Sequence, residues 1–138
     1  MKIKIAIIGS GPSAFYTAQS LLKEGLDYEI DIIEKLFSPY GLIRYGVAPD
    51  HQHTKNVIRV FERTLNNPSV EFFGGLEINN SPSIDDLMSF YDAVIIATGM
   101  AKDIPLNIED SNLDGYYGAT QFVNWYNGHP EYESLSPN

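Results

Sequence analysis

The 138-residue sequence contains no cysteine. That excludes a disulfide framework, a thiolate metal site and cysteine redox chemistry. No apolar run comes near the roughly 20 residues that a membrane-spanning helix needs. Cations are scarce: 9 Lys plus Arg stand against 18 Asp plus Glu, a formal charge of −9. Such a surface repels nucleic acid and anionic membranes, so neither is expected as a partner. Met1 lies directly against the first apolar run, so no targeting peptide is expected. A reducing cytoplasm is the expected compartment. Nucleophile elbow, HExxH and Walker sequences are missing, as are internal repeats and low-complexity tracts.

What is present begins at Lys2. The apolar run Ile3, Ile5, Ala6, Ile7, Ile8 leads straight into Gly9-Ser10-Gly11-Pro12-Ser13-Ala14. A helical pattern follows, with Ala14, Phe15, Ala18, Leu21 and Leu22 on one face, and Gly25 ends it. A second apolar run, Ile30 to Ile33, closes on Glu34. Strand, glycine turn, helix, strand and acid make a Rossmann βαβ unit for a dinucleotide. Gly9 permits the tight turn, and Gly11, lacking a Cβ, lets the backbone approach a pyrophosphate. Ala14 is small enough for helix–strand contact. Free N–H groups and the helix dipole attract phosphate. Glu34 lies at the end of the second strand, where a carboxylate accepts hydrogen bonds from an adenosine ribose. The same acid argues against NADP in this unit, because it would repel a 2′-phosphate.

Residues 36–52 then lose all periodicity, which marks a functional loop. Within it Arg44 could neutralise a phosphate or carboxylate, and Tyr40 and Tyr45 could stack on rings; a self-packed Ω-loop is the plain alternative. Helix is expected over about 54–66, with Val57, Ile58, Phe61 and Leu65 on one face, stopped by Asn67-Pro68. A strand at 70–73 and a possible one at 76–78 follow. Ser83 to Asp86 is a capping box opening a short helix over about 84–90. Asp92 to Gly99 is expected to be a buried parallel strand with glycine at its carboxyl end, where ligands collect in open α/β sheets. An extended excursion (102–118), a last helix (120–126) and a polar tail complete the chain. His51 and His53 beside Asp50 are too few for a metal site, and Pro49-Asp50 equally suits a helix cap. Asp110 to Gly115 copies half of an EF-hand loop but has Gln121 where a bidentate Glu belongs, so it reads as a polar turn. No metal is expected.

The stretches IAIIGSGPSAFYTAQSLL, IIEKLFSPYGLIRYGVAPDHQHTKNV, YDAVIIATG and QFVNWYNGHPEY, in this order, resemble ferredoxin–NADP reductases of the adrenodoxin-reductase type. The resemblance covers nearly the whole chain, and GLIRYGVAPDH is its most specific part. It implies an α/β, Rossmann-like three-layer FAD/NAD(P)-binding domain with a mainly parallel sheet, incomplete here. It assigns residues 1–128 to the N-terminal part of an FAD-binding domain and 129–138 to a linker toward an NADPH domain. It implies FAD as cofactor, NADPH as co-substrate and an iron–sulfur ferredoxin as partner of the complete enzyme. The implied cofactor-binding residues are Gly9, Gly11, Pro12, Ser13, Glu34, Lys35, Gly41, Leu42, Arg44, Val47, Ile78, Ala97, Thr98 and Gly99. His51 would sit near the flavin and is the one catalytic candidate. The sequence departs from the pattern at Ala14 and over 103–109, and it holds no second glycine turn for NADPH. The chain alone is therefore expected to be inactive. The alternatives are a short non-catalytic dinucleotide-binding sensor or interaction module, and an inactive truncated remnant.

Overall fold

The computed structural model describes residues 2–79, 81–100, 102–107 and 113–137. Its centre is a four-stranded sheet of order β3-β2-β1-β4, with β1 at Ile3–Ile8, β2 at Tyr28–Glu34, β3 at Val70–Gly74 and β4 at Ala93–Ile96. Every neighbouring pair is parallel. Ile5 lies opposite Ile30 on one side and Ala93 on the other, and Ile33 lies opposite Phe73.

Alternation along β1 feeds two cores. Ile5 and Ile7 face a large cluster with Phe15, Ala18, Ile30, Ile32 and Phe61. Ala6 and Ile8 face a smaller one with Ile33 and Leu87. Both faces of β1 are thus buried from Ile5 to Ile8, a continuously apolar run; β2 instead alternates, with half-buried Glu29 and Asp31 between buried Tyr28, Ile30 and Ile32. Helix α1 (Pro12–Lys23) and helix α4 (Ile58–Leu65) cover the first face, and α5 (Ile84–Phe90) covers the second. The fold is the expected three-layer α/β arrangement. Phe15 and Phe61, both fully buried, stack at 4.6 Å between centroids and join α1 to α4.

The helix starts follow local chemistry. Pro12 opens α1, where its missing N–H costs nothing. Ser83 and Asp86 form the expected capping box of α5: the Ser83 hydroxyl accepts from the Asp86 N–H, and the Asp86 carboxylate accepts from Ser83. That hydrogen bonding holds the Asp86 carboxyl below its usual range.

Five expectations need correction. Residues 36–52 are not wholly irregular, because Gly41–Tyr45 forms a helix, α2; at five residues it is too short to show a period. The helix expected over 54–66 is two pieces, α3 (Gln52–Lys55) and α4. Asn56 and Val57, both weak helix formers, form the join, where the Val57 N–H reaches only the Thr54 carbonyl at 3.4 Å. Asp50 is not a cap: His51 precedes α3, and no side chain caps it. Residues 76–78 are not a strand; the chain turns at Gly75, and only the Leu76 N–H returns to Glu34. Strand β4 is parallel but not buried. It lies at the sheet edge, and Ile96 is 62% exposed.

Helix α6 (Ala119–Tyr126) ends at Asn127-Gly128, as the sequence suggested, and a short 3₁₀ turn, Pro130–Tyr132, follows. The first part of the half-EF-hand stretch, Asp110 to Asn112, lies outside the described residues, as do Ile108 and Glu109 of the departing segment.

Candidate functional site

The carboxyl ends of β1, β2 and β4 converge, as they must in a parallel sheet, and two cavities of about 280 and 240 Å³ open there. They share Glu34, Lys35, Thr98 and Gly99, so they are two arms of one groove bent around the end of β2. The larger arm is walled by the glycine turn (Ser10 to Ser13), by Gly41, Leu42 and Tyr45, and by Ala97 to Met100. Its far side is formed by Thr120, Asn124, His129, Glu131 and Tyr132. The smaller arm adds Ile8, Gly9, Ile33, Leu76, Glu77 and Ile78.

The glycine turn is built by close approach. Gly9 has φ +103°, and a Cβ there would collide with the Ala97 carbonyl oxygen. β1 and β4 therefore leave the sheet touching. By contrast, a Cβ on Gly11 would meet nothing within 4 Å, because that face opens into the cavity. No side chain caps α1 at Gly11, so the first amides of the helix have no side-chain oxygen over them. Ala14, at the third position of the motif, is fully buried, as helix–strand contact requires.

Residues 36–46 lie across this turn. A Cβ on Gly41 would come within 3.0 Å of the Gly11 Cα, so only glycine lets α2 sit on the turn. The Tyr40 N–H donates to the Ser10 carbonyl at 3.0 Å, with Tyr40 itself in a left-handed conformation, φ +90°. A non-glycine residue there costs about 1–3 kcal/mol. Its ring explains why it is tolerated: Tyr40 is 6% exposed and packs against Phe15 and Phe61. Burial also raises its phenol pKa. The expectation that Tyr40 stacks on a ligand therefore fails, because its ring belongs to the core. Tyr45 does line the cavity, with its hydroxyl 2.6 Å from Ser38 Oγ.

Glu34 stands at the bend. Its Oε2 accepts from the Ser10 N–H at 3.0 Å and from Ser10 Oγ at 2.7 Å, and its Oε1 accepts from the Leu36 N–H at 3.2 Å. Beside it, Lys35 Nζ meets Glu131 Oε1 at 2.7 Å. The pair raises the lysine and holds the Glu131 carboxyl below its usual range. The His129 ring lies tilted against Tyr45, with centroids 4.7 Å apart, and edge-on to Tyr132 at 5.2 Å; burial holds its imidazole below the ordinary value.

Of the residues singled out in the sequence, Gly11, Pro12, Ser13, Glu34, Lys35, Gly41, Leu42, Ala97, Thr98 and Gly99 line the larger arm, and Gly9 and Ile78 the smaller. Arg44, Val47 and His51 line neither. Arg44 braces its own loop, donating through Nε to the Pro39 carbonyl at 3.0 Å and lying over the Tyr40 ring. His51 is exposed. Tyr45, singled out as a possible stacking ring, does border the cavity, whereas Ser10, Asn124 and the tail residues His129, Glu131 and Tyr132 were missed as site residues. Ser10 was visible as the variable position inside GxG. The tail carries part of the family resemblance but no periodicity that places it at the site, because its place depends on contacts 96 residues apart, such as Lys35 with Glu131. No group of three or more His, Cys, Asp or Glu fit to hold a metal ion occurs among the described residues, and none of the described helices is long and apolar enough to cross a membrane.

No family model matches the chain. It is 46% identical over 138 residues to the NADPH-ferredoxin reductase FprA of Mycobacterium tuberculosis, covering 96% of this chain and 30% of that protein. It is 42% identical over 135 residues to the mitochondrial NADPH:adrenodoxin oxidoreductase of Arabidopsis thaliana, covering 98% and 28%. The structure of Mycobacterium tuberculosis FprA in complex with NADPH superposes with a TM-score of 0.95 at 45% identity, covering 99% of this chain and 31% of that one. The chain is a homologue of the NADPH-ferredoxin and NADPH:adrenodoxin reductases, and it spans about 30% of their length.

Proposed function

We propose that this chain forms the FAD-binding part of an NADPH–ferredoxin oxidoreductase, which passes electrons from NADPH through FAD to an iron–sulfur ferredoxin. One observation carries the reading: a glycine turn open to a cavity at Gly11, with a carboxylate, Glu34, fixed at the bend of the groove. The residues present suit the group. The amides at the start of α1, with Ser13, would take the pyrophosphate. Glu34 would take the adenosine ribose, and Ile78 would flank the adenine in the smaller arm. Gly41, Leu42 and Thr98-Gly99 would lie along the cofactor. Bound FAD would supply hydride acceptance and one-electron delivery; the chain's own part is to bind, orient and exclude water.

His51, on the loop outside the two cavities, would sit near the flavin, and Arg44 and Val47 of the same loop would contribute to holding the cofactor. Residues 1–128 would form the domain part and 129–138 the lead toward an NADPH domain, with Lys35 and Glu131 seating the start of that lead on the site. The formal charge of −9 suits neither an acidic ferredoxin nor nucleic acid, so the docking surface for ferredoxin would be supplied from elsewhere in the enzyme. With no cysteine in the chain, a cytoplasmic setting fits.

The test is a longer chain carrying a second glycine turn after residue 138. It should purify yellow and reduce ferredoxin with NADPH; a colourless product that takes up no FAD would sink the reading. The 138 residues alone should hold FAD weakly and oxidise no NADPH.

A further inference from the structure

We infer that Ser10 is the positioning residue for the ribose-binding carboxylate: its two donors fix Glu34 Oε2 and leave Oε1 as the atom that accepts from an adenosine ribose. The inference rests on the dinucleotide reading above and deepens it. The fingerprint itself asks nothing of Ser10 beyond fitting between two glycines.

An ionised carboxylate offers about four lone-pair positions. Ser10 fills two on Oε2, at 3.0 Å through its N–H and 2.7 Å through its hydroxyl, and the Leu36 N–H fills one on Oε1 at 3.2 Å. One remains, on Oε1, of a side chain that borders both arms of the groove. Ser10 is itself clamped. It is 1% exposed, and its carbonyl accepts from the Tyr40 N–H at 3.0 Å. With almost no exposure to water, its hydroxyl has Glu34 Oε2 as its partner. Hydrogen bonds to an ionised acceptor are the strong kind. They spare the ligand the entropy of immobilising a long side chain on binding. The rival arrangement, in which ribose displaces the Ser10 hydroxyl, predicts that Ser10→Ala strengthens the preference for ADP.

The probes are ADP and 2′,3′-dideoxy-ADP, which lacks both ribose hydroxyls, titrated into the isotope-labelled 138-residue chain and followed by amide chemical shifts. The unsubstituted chain should prefer ADP. Ser10→Ala should cut that preference by about three- to tenfold while leaving dideoxy-ADP affinity unchanged. In a Glu34→Ala background, Ser10→Ala should change the preference no further, as a shared path requires. Equal weakening of both nucleotides, or tighter ADP binding by Ser10→Ala, overturns the inference and leaves the dinucleotide reading standing. Failure of the unsubstituted chain to bind either nucleotide overturns both. Should Ser10→Ala not fold, the unsubstituted chain decides: the Ser10 amide must keep its hydrogen-bonded shift when ADP saturates the site, and its loss overturns the inference.

Discussion

The first and last thirds of this chain are held by different forces. Between Ile3 and Glu34 the side chains of two central strands and α1 disappear from solvent: Ala6, Ile7, Ala14, Phe15, Ala18, Ile30 and Ile32 are all at 0% exposure. Beyond β4, several large apolar side chains stay outside. Met100, Ile104, Leu106 and Leu113 are each more than 60% exposed. What organises this part is polar. Asp103 accepts from the Thr120 N–H at 2.8 Å and the Gln121 N–H at 3.2 Å, so a residue 17 positions away serves as the cap of α6, whose own Gly118 has no side chain to do it. Lys35 with Glu131 then ties the tail to the site. The early region is stabilised by burial, the late region by a few directed bonds. The groove is made where they meet.

The largest expected effect tests the early region. Phe15→Ala should lose about 3–5 kcal/mol of stability in urea unfolding, because it empties a fully buried stacked position. Phe122→Ala, on half-exposed α6, should lose less than about 1 kcal/mol. Equal losses would erase the contrast. Next, Gly9→Ala should cost about 2 kcal/mol or more, through a left-handed backbone and the Ala97 collision, and should abolish nucleotide shifts at Thr98.

The third prediction concerns the tail and pH. Burial lowers the His129 pKa, so its contribution to the seated tail is complete above the ordinary value of 6.5 and declines as pH falls through the lower folded value. Glu131, lowered by Lys35, acts in the same direction further into acid, from 4.5 downward. Lys35 is raised, so its share is complete below 10.5 and lost only as pH rises beyond that. The ring-to-ring nuclear Overhauser effect between Tyr45 and His129 should therefore be strong at neutral pH and fade in acid, with the sheet amides unmoved. Its persistence in acid would show that the tail is held by something other than these charges. The smallest effect should come from Asp103→Ala: faster amide exchange at Thr120 and Gln121, with no measurable change in melting temperature.

The contrast also explains what the sequence could show. β1, α1 and β2 were legible because burial leaves a period, and Glu34 because its place at a strand end is fixed by the βαβ unit. β4 was read as buried from Ala93-Val94-Ile95-Ile96; apolar composition says that a strand can be covered, not that it is. Tyr40 looked like a stacking ring, since no pattern reveals that its backbone turns left-handed and its ring turns inward. The tail's place at the site was invisible because directed bonds between distant residues, such as Lys35 with Glu131, leave no periodicity. The tight meeting of Gly41 with Gly11 is of the same kind: two glycines 30 positions apart say nothing of each other until the chain is folded.

Tyr40 has one more consequence, for which changes this position can accept. Glycine would relieve its backbone but remove a ring packed against Phe15 and Phe61. Phenylalanine would keep the ring and all of the strain, and valine or isoleucine would fail on both counts. No single exchange satisfies the two demands together, so the residue occupies a local optimum from which every one-step path leads downhill. Relief would require paired changes, glycine here with a larger side chain filling the core from α1 or α4.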